Sequence, residues 1–213
     1  MTEQTSATLD RISRVGIVPV IVLDDAAHAE PLVAALAAGG VRAIEITFRT
    51  EAGEAAIRAV AGTPDFVVGA GTVLTPSDVD RAADAGATFV VSPGLDESVL
   101  ERATDLGIAA LPGVATATEV QRALRLGLDA VKLFPAKQLG GVAMVAALAG
   151  PFPTVRIMPS GGVTVDDAPA YLAQPTVFAI SGGWIASRAA IADGDFDGIE
   201  IRARQAAALR GSL

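Results

Sequence analysis

Short apolar runs alternate with Ala-rich stretches of helical spacing along almost the whole chain. The runs are nearly continuous in apolar residues, which is typical of strands that are buried on both faces of a parallel sheet. Eight runs predict strands, at Val15–Leu23, Val41–Thr47, Phe66–Ala70, Thr88–Val91, Ile108–Leu111, Ala130–Phe134, Val155–Met158 and Val177–Ile180. The stretches between them predict helices, of which the clearest are Ala26–Ala38, Glu54–Val60, Ser77–Ala85, Glu97–Leu106, Ala117–Leu126 and Val142–Ala149.

One unit recurs in the middle of the chain: a helical stretch, a glycine and then a short apolar run. Gly86, Gly107 and Gly127 occupy equivalent places in three successive units, 21 and 20 residues apart. Glycine suits this place because helices commonly end with a residue in the left-handed conformation. The spacing equals one strand plus one helix, so the chain is built from successive strand–helix units.

Eight strand–helix units favour an α/β fold with a single (β/α)8 TIM barrel over an open doubly wound sheet. The open sheet stays possible, but the first predicted strand is not followed by the G-x-G-x-x-G fingerprint of dinucleotide-binding sheets. The segment Phe196–Leu213 predicts a final helix rather than a second domain. We therefore expect residues 1–213 to form one domain.

Composition and charge exclude several classes of function. The net charge of -8 and the pI of about 4.6 argue against nucleic acid or an anionic membrane as a partner. The chain has no cysteine and one histidine, His28, in the first helical stretch, so a transition-metal site is not expected. The segment Met1–Arg14 is polar, and no later run is long enough to span a membrane. We expect a cytoplasmic protein that uses no metal and no cofactor.

Two charged residues interrupt runs that otherwise predict buried strands. Lys132 lies in the sixth run and Glu45 in the second. Burial disfavours the charged form of an amine, and a neutral amine is a nucleophile that forms Schiff bases with carbonyl substrates. A carboxylate nearby can transfer protons during that chemistry. Both residues also have a structural interpretation, as a lysine that extends to solvent and as a salt-bridged glutamate at a barrel end.

Polar residues and glycines follow the predicted strands at their carboxyl ends, where parallel barrels place reactive residues. Arg49 follows the second strand, and a guanidinium binds a substrate carboxylate through two parallel hydrogen bonds. The pairs Gly161-Gly162 and Gly182-Gly183 follow the last two strands, where their backbone N–H groups could bind a phosphate. Glycine pairs are more often only turn residues. The other residues predicted at this edge are Thr72, Pro93, Ser160 and Ser181.

The motifs at these strand ends resemble those of the 2-keto-3-deoxy-6-phosphogluconate (KDPG) and 4-hydroxy-2-oxoglutarate (KHG) aldolases. The similarity extends over nearly the whole chain, and the most specific segments are the Lys-aromatic-Pro stretch and Gly-Ala-Gly-Thr-Val-Leu. The matching segments are Val18–Val22, Glu45–Glu51, Gly69–Leu74, Ser92–Leu95, Leu111–Gly113, Lys132–Ala136 and Gly150–Phe152.

The resemblance implies a (β/α)8 barrel that assembles as a homotrimer, a lyase activity of class I that needs no metal, and a place in the Entner–Doudoroff pathway. It makes Lys132 the Schiff-base lysine and Glu45 the proton shuttle. The residues that it places around the pyruvate half of the substrate and the imine are Arg49, Thr72, Pro93 and Phe134.

Two departures from the family pattern concern the phosphate end. Ser160 stands where the family usually has the threonine of Pro-Thr-Gly-Gly, so a hydroxyl is kept. The family's Gly-Gly-Ser-Trp is here Ser181-Gly182-Gly183-Trp184, which moves a hydroxyl away from the expected phosphate position. We expect weaker phosphate binding, because one side-chain donor is displaced.

The expected reaction is cleavage of KDPG to pyruvate and glyceraldehyde 3-phosphate, with a 2-keto acid as the small-molecule partner. The alternative is 4-hydroxy-2-oxoglutarate cleavage or oxaloacetate decarboxylation through the same lysine imine. A distant alternative is a barrel that binds a sugar phosphate without catalysis, but the amine, carboxylate and guanidinium are all present. A phosphate-binding isomerase is also conceivable, although it would not need an interior lysine.

Overall fold

The computed structural model describes residues 2–211, with side chains up to residue 209. Strands and helices alternate along this range, as the sequence predicts. The strands are β1 Ile17–Ile21, β2 Ala43–Thr47, β3 Val67–Gly71, β4 Phe89–Val91, β5 Ala109–Leu111, β6 Gly113–Val114, β7 Ala130–Leu133, β8 Arg156–Pro159 and β9 Ile180–Gly182. The helices are α1 Glu3–Val15, α2 Ala29–Ala38, α3 Ala52–Val60, α4 Pro76–Asp84, α5 Glu97–Asp105, α6 Ala117–Arg125, α7 Val142–Ala149, α8 Ala168–Leu172, α9 Arg188–Ala192 and α10 Phe196–Gly211.

The strands form parallel sheets. Six of them make one curled sheet in the order β5-β4-β3-β2-β1-β9, and three make a second sheet in the order β6-β7-β8. Two isolated bridges, Ile157 to Val177 and Ser160 to Ser181, connect the β8 and β9 regions. The predicted α/β class with parallel strands is confirmed, whereas the hydrogen-bonded ladders form a six-stranded and a three-stranded sheet instead of one continuous eight-stranded sheet.

Pro112 divides the fifth predicted strand region into two short strands. β5 pairs with β4, whereas β6 pairs with β7. Proline has no backbone N–H and cannot donate to a ladder, so the boundary between the two sheets falls at this residue. A second difference lies near the chain's end. The eighth strand was expected at Val177–Ile180, but β9 is Ile180–Gly182 and Val177 makes only an isolated bridge.

Residues of each strand alternate between two hydrophobic clusters, because successive side chains point to opposite faces of a sheet. The outer cluster includes Ile44 and Ile46 of β2 and lies between the sheets and the helices. The inner cluster includes Ala43 of β2 and Ala130 of β7, packed with residues such as Phe89, Leu111 and Met158. Glu45 lies two positions after Ala43, and Lys132 lies two positions after Ala130. Both side chains therefore point to the same face of the sheets as the inner cluster.

The N-terminal segment forms helix α1, which the sequence analysis did not predict. The Thr2 side chain caps it by accepting a hydrogen bond from the N–H of Thr5. Leu9 and Ile12, one turn apart, are buried in the inner cluster. Arg11 donates a hydrogen bond to the carbonyl of Phe66, just before β3 begins. Helix α1 therefore packs at the amino ends of the strands.

Helix α10 confirms the predicted C-terminal helix. The last two residues of that prediction, 212 and 213, lie outside the described range. It packs against α2, α8 and α9. The short helices α8 and α9 were not predicted. Among the described residues, the helices are too short or too polar to cross a membrane.

Candidate active site

Lys132 and Glu45 meet on the inner face of the two sheets. The Lys132 Nζ atom lies 3.3 Å from Glu45 Oε1, and the two side chains are 6% and 1% exposed. Lys132 is aligned with Gly113 and Met158 in the ladders beside it, and Glu45 is aligned with Val20 and Gly69. Fixed strand positions therefore bring together an amine and a carboxylate, and the sequence singled out both.

Two glycine residues of β3 make room for inner side chains, Gly71 for the Glu45 carboxylate and Gly69 for the Phe89 ring. A Cβ atom added at Gly71 would lie 2.3 Å from Glu45 Oε1, which is too close for any real contact. A Cβ atom added at Gly69 would lie 2.3 Å from the Phe89 ring. A glycine within a strand often marks such a close approach. Gly71 thus provides the space in which the inner carboxylate sits, and Gly69 provides the space for the Phe89 ring of the inner cluster.

Ser181 contacts Glu45 from β9. Its side chain is fully buried, and its hydroxyl lies 3.5 Å from Glu45 Oε2, at the limit of a hydrogen bond. The sequence predicts Ser181 among the residues of the phosphate end. In the structure the hydroxyl is directed to the carboxylate instead, so each oxygen of Glu45 has one polar neighbour, Lys132 or Ser181.

Arg49 and Thr72 lie together at the carboxyl ends of β2 and β3. The Arg49 Nε atom donates a hydrogen bond of 3.2 Å to Thr72 Oγ1. Thr72 has a φ of 58°, in the left-handed region that β-branched residues rarely adopt. Pro93 lies near the same edge, where its carbonyl oxygen would be 2.0 Å from a Cβ atom added at Gly113. Gly113 is aligned with Lys132 in the ladder between β6 and β7. The Pro93 carbonyl therefore lies beside the strand position that neighbours the lysine.

A cavity of about 370 Å³ opens beside Lys132. Its charged lining residues are Arg49, Lys132 and Arg188, and no carboxylate of the described residues lines it. Such a lining attracts an anion even though the chain carries a net charge of -8. The predicted site residues that line it are Arg49, Lys132, Phe134, Ser160, Gly161, Gly162, Gly182 and Gly183. The predicted residues outside its lining are Glu45, Thr72, Pro93 and Ser181.

Gly161 and Gly162 follow β8 with φ angles of 91° and 77°, which side chains rarely adopt. A Cβ atom added at Gly161 would lie 3.0 Å from the Phe134 ring, and one at Gly162 would lie 2.7 Å from Lys137 Cβ. The Phe134 ring also lies beneath the amine, with its centroid 5.3 Å from Lys132 Nζ. The glycine turn and the aromatic ring together shape the wall of the cavity next to the lysine.

Arg188, a charged residue in the lining of this cavity, has no predicted role in the sequence, and neither has its ion-pair partner Asp24. Arg188, at the start of α9, lines the cavity and makes a two-pronged ion pair with Asp24. The distance from Arg188 Nε to Asp24 Oδ2 is 2.7 Å. The hydrogen bond with Arg188 lowers the pKa of Asp24 below its usual value. An exposed arginine between glycines and a short helix gives no signal in the sequence that separates it from other surface arginines.

Neither His28 nor a metal-ligating cluster provides a competing site among residues 2–211. His28 is half-buried against the Phe196 ring, with centroids 6.1 Å apart, and does not line the cavity. No cluster of three or more His, Cys, Asp or Glu side chains in this range could hold a metal ion. A smaller cavity of about 130 Å³ lies beneath α1 at the amino ends of the strands and contains Asp129 as its charged lining residue.

The buried amine, its carboxylate neighbour and the anion-attracting cavity form an arrangement that suits Schiff-base chemistry on a carbonyl substrate. The comparisons with known proteins agree with this class. The chain belongs to the KDPG and KHG aldolase family, whose family model matches residues 9–201. The family membership inferred from the motifs is thus confirmed, and with it the lyase class of enzyme.

Relatives of known structure or name cover nearly the whole chain. The KHG/KDPG aldolase of Escherichia coli K12 is 44% identical over 191 residues, which are 89% of this chain and 90% of that protein. A KDPG aldolase structure from Zymomonas mobilis ZM4 with 3-phosphoglycerate is 39% identical and superposes with a TM-score of 0.88, covering 94% and 95% of the two chains. The KDPG aldolase of Legionella pneumophila, with pyruvate captured as a covalent carbinolamine, is 34% identical with a TM-score of 0.88, covering 95% and 97%.

Proposed function

We propose that the protein cleaves KDPG to pyruvate and glyceraldehyde 3-phosphate through a Schiff base on Lys132. The observation that carries this proposal is the buried contact between Lys132 and Glu45 beside a cavity lined by cations. A buried ion pair is often no more stabilising than apolar residues of the same volume, so stability alone gives little reason for its presence. Imine chemistry needs both an amine and a proton carrier.

Lys132 is the nucleophile in this proposal. Its ammonium group transfers a proton to Glu45, 3.3 Å away, and the neutral amine attacks the ketone carbon of the substrate. A carbinolamine forms, and it becomes an iminium when its hydroxyl leaves as water with a proton from Glu45. The related Legionella enzyme has pyruvate captured as such a carbinolamine, which supports this step.

Glu45 also acts in the cleavage step. It removes the proton from the β-hydroxyl of the substrate, and the bond between the α and β carbons breaks as the hydroxyl carbon becomes an aldehyde. The bonding electrons pass to the iminium and give an enamine. Protonation of the α carbon and attack of water on the iminium then release pyruvate and restore the amine. Ser181 positions the carboxylate for these proton transfers by contacting its second oxygen.

The remaining predicted residues bind the two ends of the substrate. Arg49, oriented by Thr72, binds the carboxylate of the pyruvate half, and Pro93 supports the strand beside the lysine. Phe134 packs beside the imine. The residues that bind the phosphate are Ser160 and the backbone N–H groups of Gly161, Gly162, Gly182 and Gly183, all of which line the cavity.

Cleavage of 4-hydroxy-2-oxoglutarate to pyruvate and glyoxylate is the second candidate function. It uses the same lysine, and the cations that line the cavity accept a second carboxylate as well as a phosphate. The Escherichia coli relative bears both activities in its name, which supports this alternative.

We further propose that the chain forms one domain in which the two sheets close into an eight-stranded barrel. Support comes from the hydrogen bond of 2.9 Å from the Lys132 N–H to the Pro112 carbonyl and from the bridges between the β8 and β9 regions. The homotrimer is proposed from the family resemblance, and sedimentation velocity would test it. The cytoplasmic location and the Entner–Doudoroff assignment stay predictions.

Turnover of defined substrates tests the proposed function. The purified protein is incubated with KDPG, and pyruvate and glyceraldehyde 3-phosphate are measured separately. We expect both products in equal amounts, with unchanged activity after exhaustive chelation, because the iminium is the electron sink and no metal is needed. An activity that is lost on chelation and restored by a divalent cation would contradict the class I chemistry. Higher kcat/KM for 4-hydroxy-2-oxoglutarate would make the second candidate the main function.

A further inference from the structure

Arg188 lines the cavity, but the proposed mechanism gives it no role. It lines the cavity together with Gly161, Gly162, Gly182 and Gly183, the residues proposed to bind the substrate phosphate. Its side chain is 59% exposed, whereas that of Lys132 is 6% exposed. Arg188 therefore lies toward the mouth, away from the carbon that forms the imine.

The phosphate end of the cavity lacks the hydroxyl that β9 could have provided. Ser181 directs its hydroxyl to Glu45, and neighbouring Gly182 and Gly183 have no side chain. Ser160 is buried at the base of the same end. A phosphate monoester carries up to two negative charges, and the lining around these glycines otherwise offers neutral donors, namely backbone N–H groups and the hydroxyls of Ser160 and Ser187. A guanidinium binds such a group through paired, charge-assisted hydrogen bonds.

Asp24 holds this guanidinium when no ligand is bound. Asp24 follows β1 and Arg188 follows β9, and these two strands are neighbours in the sheet. Asp24 does not line the cavity, and it is 53% exposed. An exposed ion pair contributes little to stability, so Arg188 can exchange its carboxylate partner for a phosphate at small cost.

We propose that Arg188 is the residue that confers preference for phosphorylated substrates, by leaving Asp24 and binding the terminal phosphate at the mouth of the cavity. The proposal rests on the proposed function, since its ligand is the phosphate end of the cleaved 2-keto acid. The proposal also assigns a role to Asp24. Asp24 keeps Arg188 at the mouth and competes with the incoming anion for it.

Direct binding of inorganic phosphate tests this role without any turnover. Trp184 is the only tryptophan, and its ring packs where a Cβ atom added at Gly182 would lie 2.3 Å away. Its fluorescence therefore reports on binding near Gly182, at the phosphate end of the cavity. We expect Arg188→Gln to weaken phosphate binding roughly ten- to a hundredfold, the effect of losing a hydrogen bond to a charged group. Arg188→Lys, which keeps the charge, should restore part of the affinity.

Two further variants separate anion binding from a structural role. Arg188→Gln and Asp24→Asn break the same ion pair, so a purely structural role of the pair predicts the same loss in both. The proposal predicts that Asp24→Asn binds phosphate at least as tightly as the unmodified protein, because a competing carboxylate is gone. Arg204→Gln is the matched control, since Arg204 is an exposed arginine paired with Glu200 on α10, outside the cavity lining.

The same variants are then assayed with KDPG and its unphosphorylated analogue. We expect Arg188→Gln to raise KM for KDPG with little change in kcat and to leave imine trapping with pyruvate unchanged. Equal phosphate affinity in Arg188→Gln and the unmodified protein, or equal losses in Arg188→Gln and Asp24→Asn, would overturn the proposal. Arg188-dependent phosphate binding in a protein that forms no pyruvate imine would instead overturn the proposed function and leave the role of Arg188 in place.

Discussion

Glu45 Oε1 lies 3.3 Å from Lys132 Nζ, although 87 positions separate the two residues in the sequence. The contact joins β2 of the six-stranded sheet to β7 of the three-stranded sheet across the inner face. Both residues stand in otherwise apolar strands, and Lys132 also lines the cavity. In the proposed mechanism this contact gives the Lys132 amine a proton acceptor, Glu45, at the place where the lysine meets the cavity.

Glu45→Gln tests the proton transfers directly. The amide keeps the size and shape of the side chain but cannot carry the proton, so turnover should fall on the order of 10²–10⁴-fold. Steady-state kinetics and pyruvate binding are measured on the same sample, and binding should be retained. A loss in kcat/KM below roughly tenfold, about 1.4 kcal/mol of transition-state stabilisation, would reduce Glu45 to a structural role.

Gly71→Ala tests the space around Glu45 without touching a functional group. The new methyl group would lie 2.3 Å from Glu45 Oε1, the oxygen that contacts Lys132, so the carboxylate must shift from its present position. We expect a loss of at least roughly tenfold in kcat/KM, and overpacking should cost about 1–3 kcal/mol of unfolding free energy. Gly62→Ala is the control, because a Cβ atom there meets nothing within 4 Å. Full activity in Gly71→Ala would show that the position of the carboxylate is not critical.

Gly162→Asp tests the phosphate end. Negative charge beside the glycine turn should remove the preference for KDPG over its unphosphorylated analogue, while cleavage of 4-hydroxy-2-oxoglutarate falls less. The measured quantity is the ratio of the kcat/KM values. Gly127→Asp controls for backbone strain and added charge, since Gly127 has a similar φ of 79° against 77° and borders the cavity at the opposite end of the strands. A preference that survives in Gly162→Asp would argue against a phosphate at these glycines.

Ile12→Ala tests the packing of α1 under the inner cluster. Ile12 is fully buried, so its truncation should cost about 2–5 kcal/mol of unfolding free energy in denaturant titrations. Ile201→Ala on α10 is the control, because Ile201 is 52% exposed and should change stability by about 0.5 kcal/mol or less. Equal effects of the two substitutions would mean that α1 does not support the core.

The sequence predicts the strands and the central pair for one shared reason. Buried parallel strands are continuous apolar runs, so they are easy to locate, and a charge inside such a run is conspicuous. Lys132 and Glu45 were found in this way. Their contact could not be derived from the runs alone, because it depends on how β2 and β7 face each other across the inner cluster.

Other features depend on packing that a single sequence does not reveal. Helix α1 carries only two large buried residues, Leu9 and Ile12, in a polar segment, so its role under the sheets was missed. The direction of the Ser181 hydroxyl depends on which face of β9 the residue occupies. Arg188 resembles any exposed arginine until the fold places it at the cavity. The boundary between β5 and β6 at Pro112 could have been predicted from the sequence, because proline interrupts strand pairing.

Trapping of the imine with pyruvate tests the central assignment most directly. The protein is mixed with pyruvate, reduced with borohydride and digested, and the modified peptide is located by mass. The chain has two lysines, Lys132 and Lys137, so the adduct can be assigned without ambiguity. We predict one adduct on Lys132, absent in a folded Lys132→Ala variant and retained in Lys137→Ala. An adduct on Lys137, or one that persists after Lys132→Ala, would contradict the account.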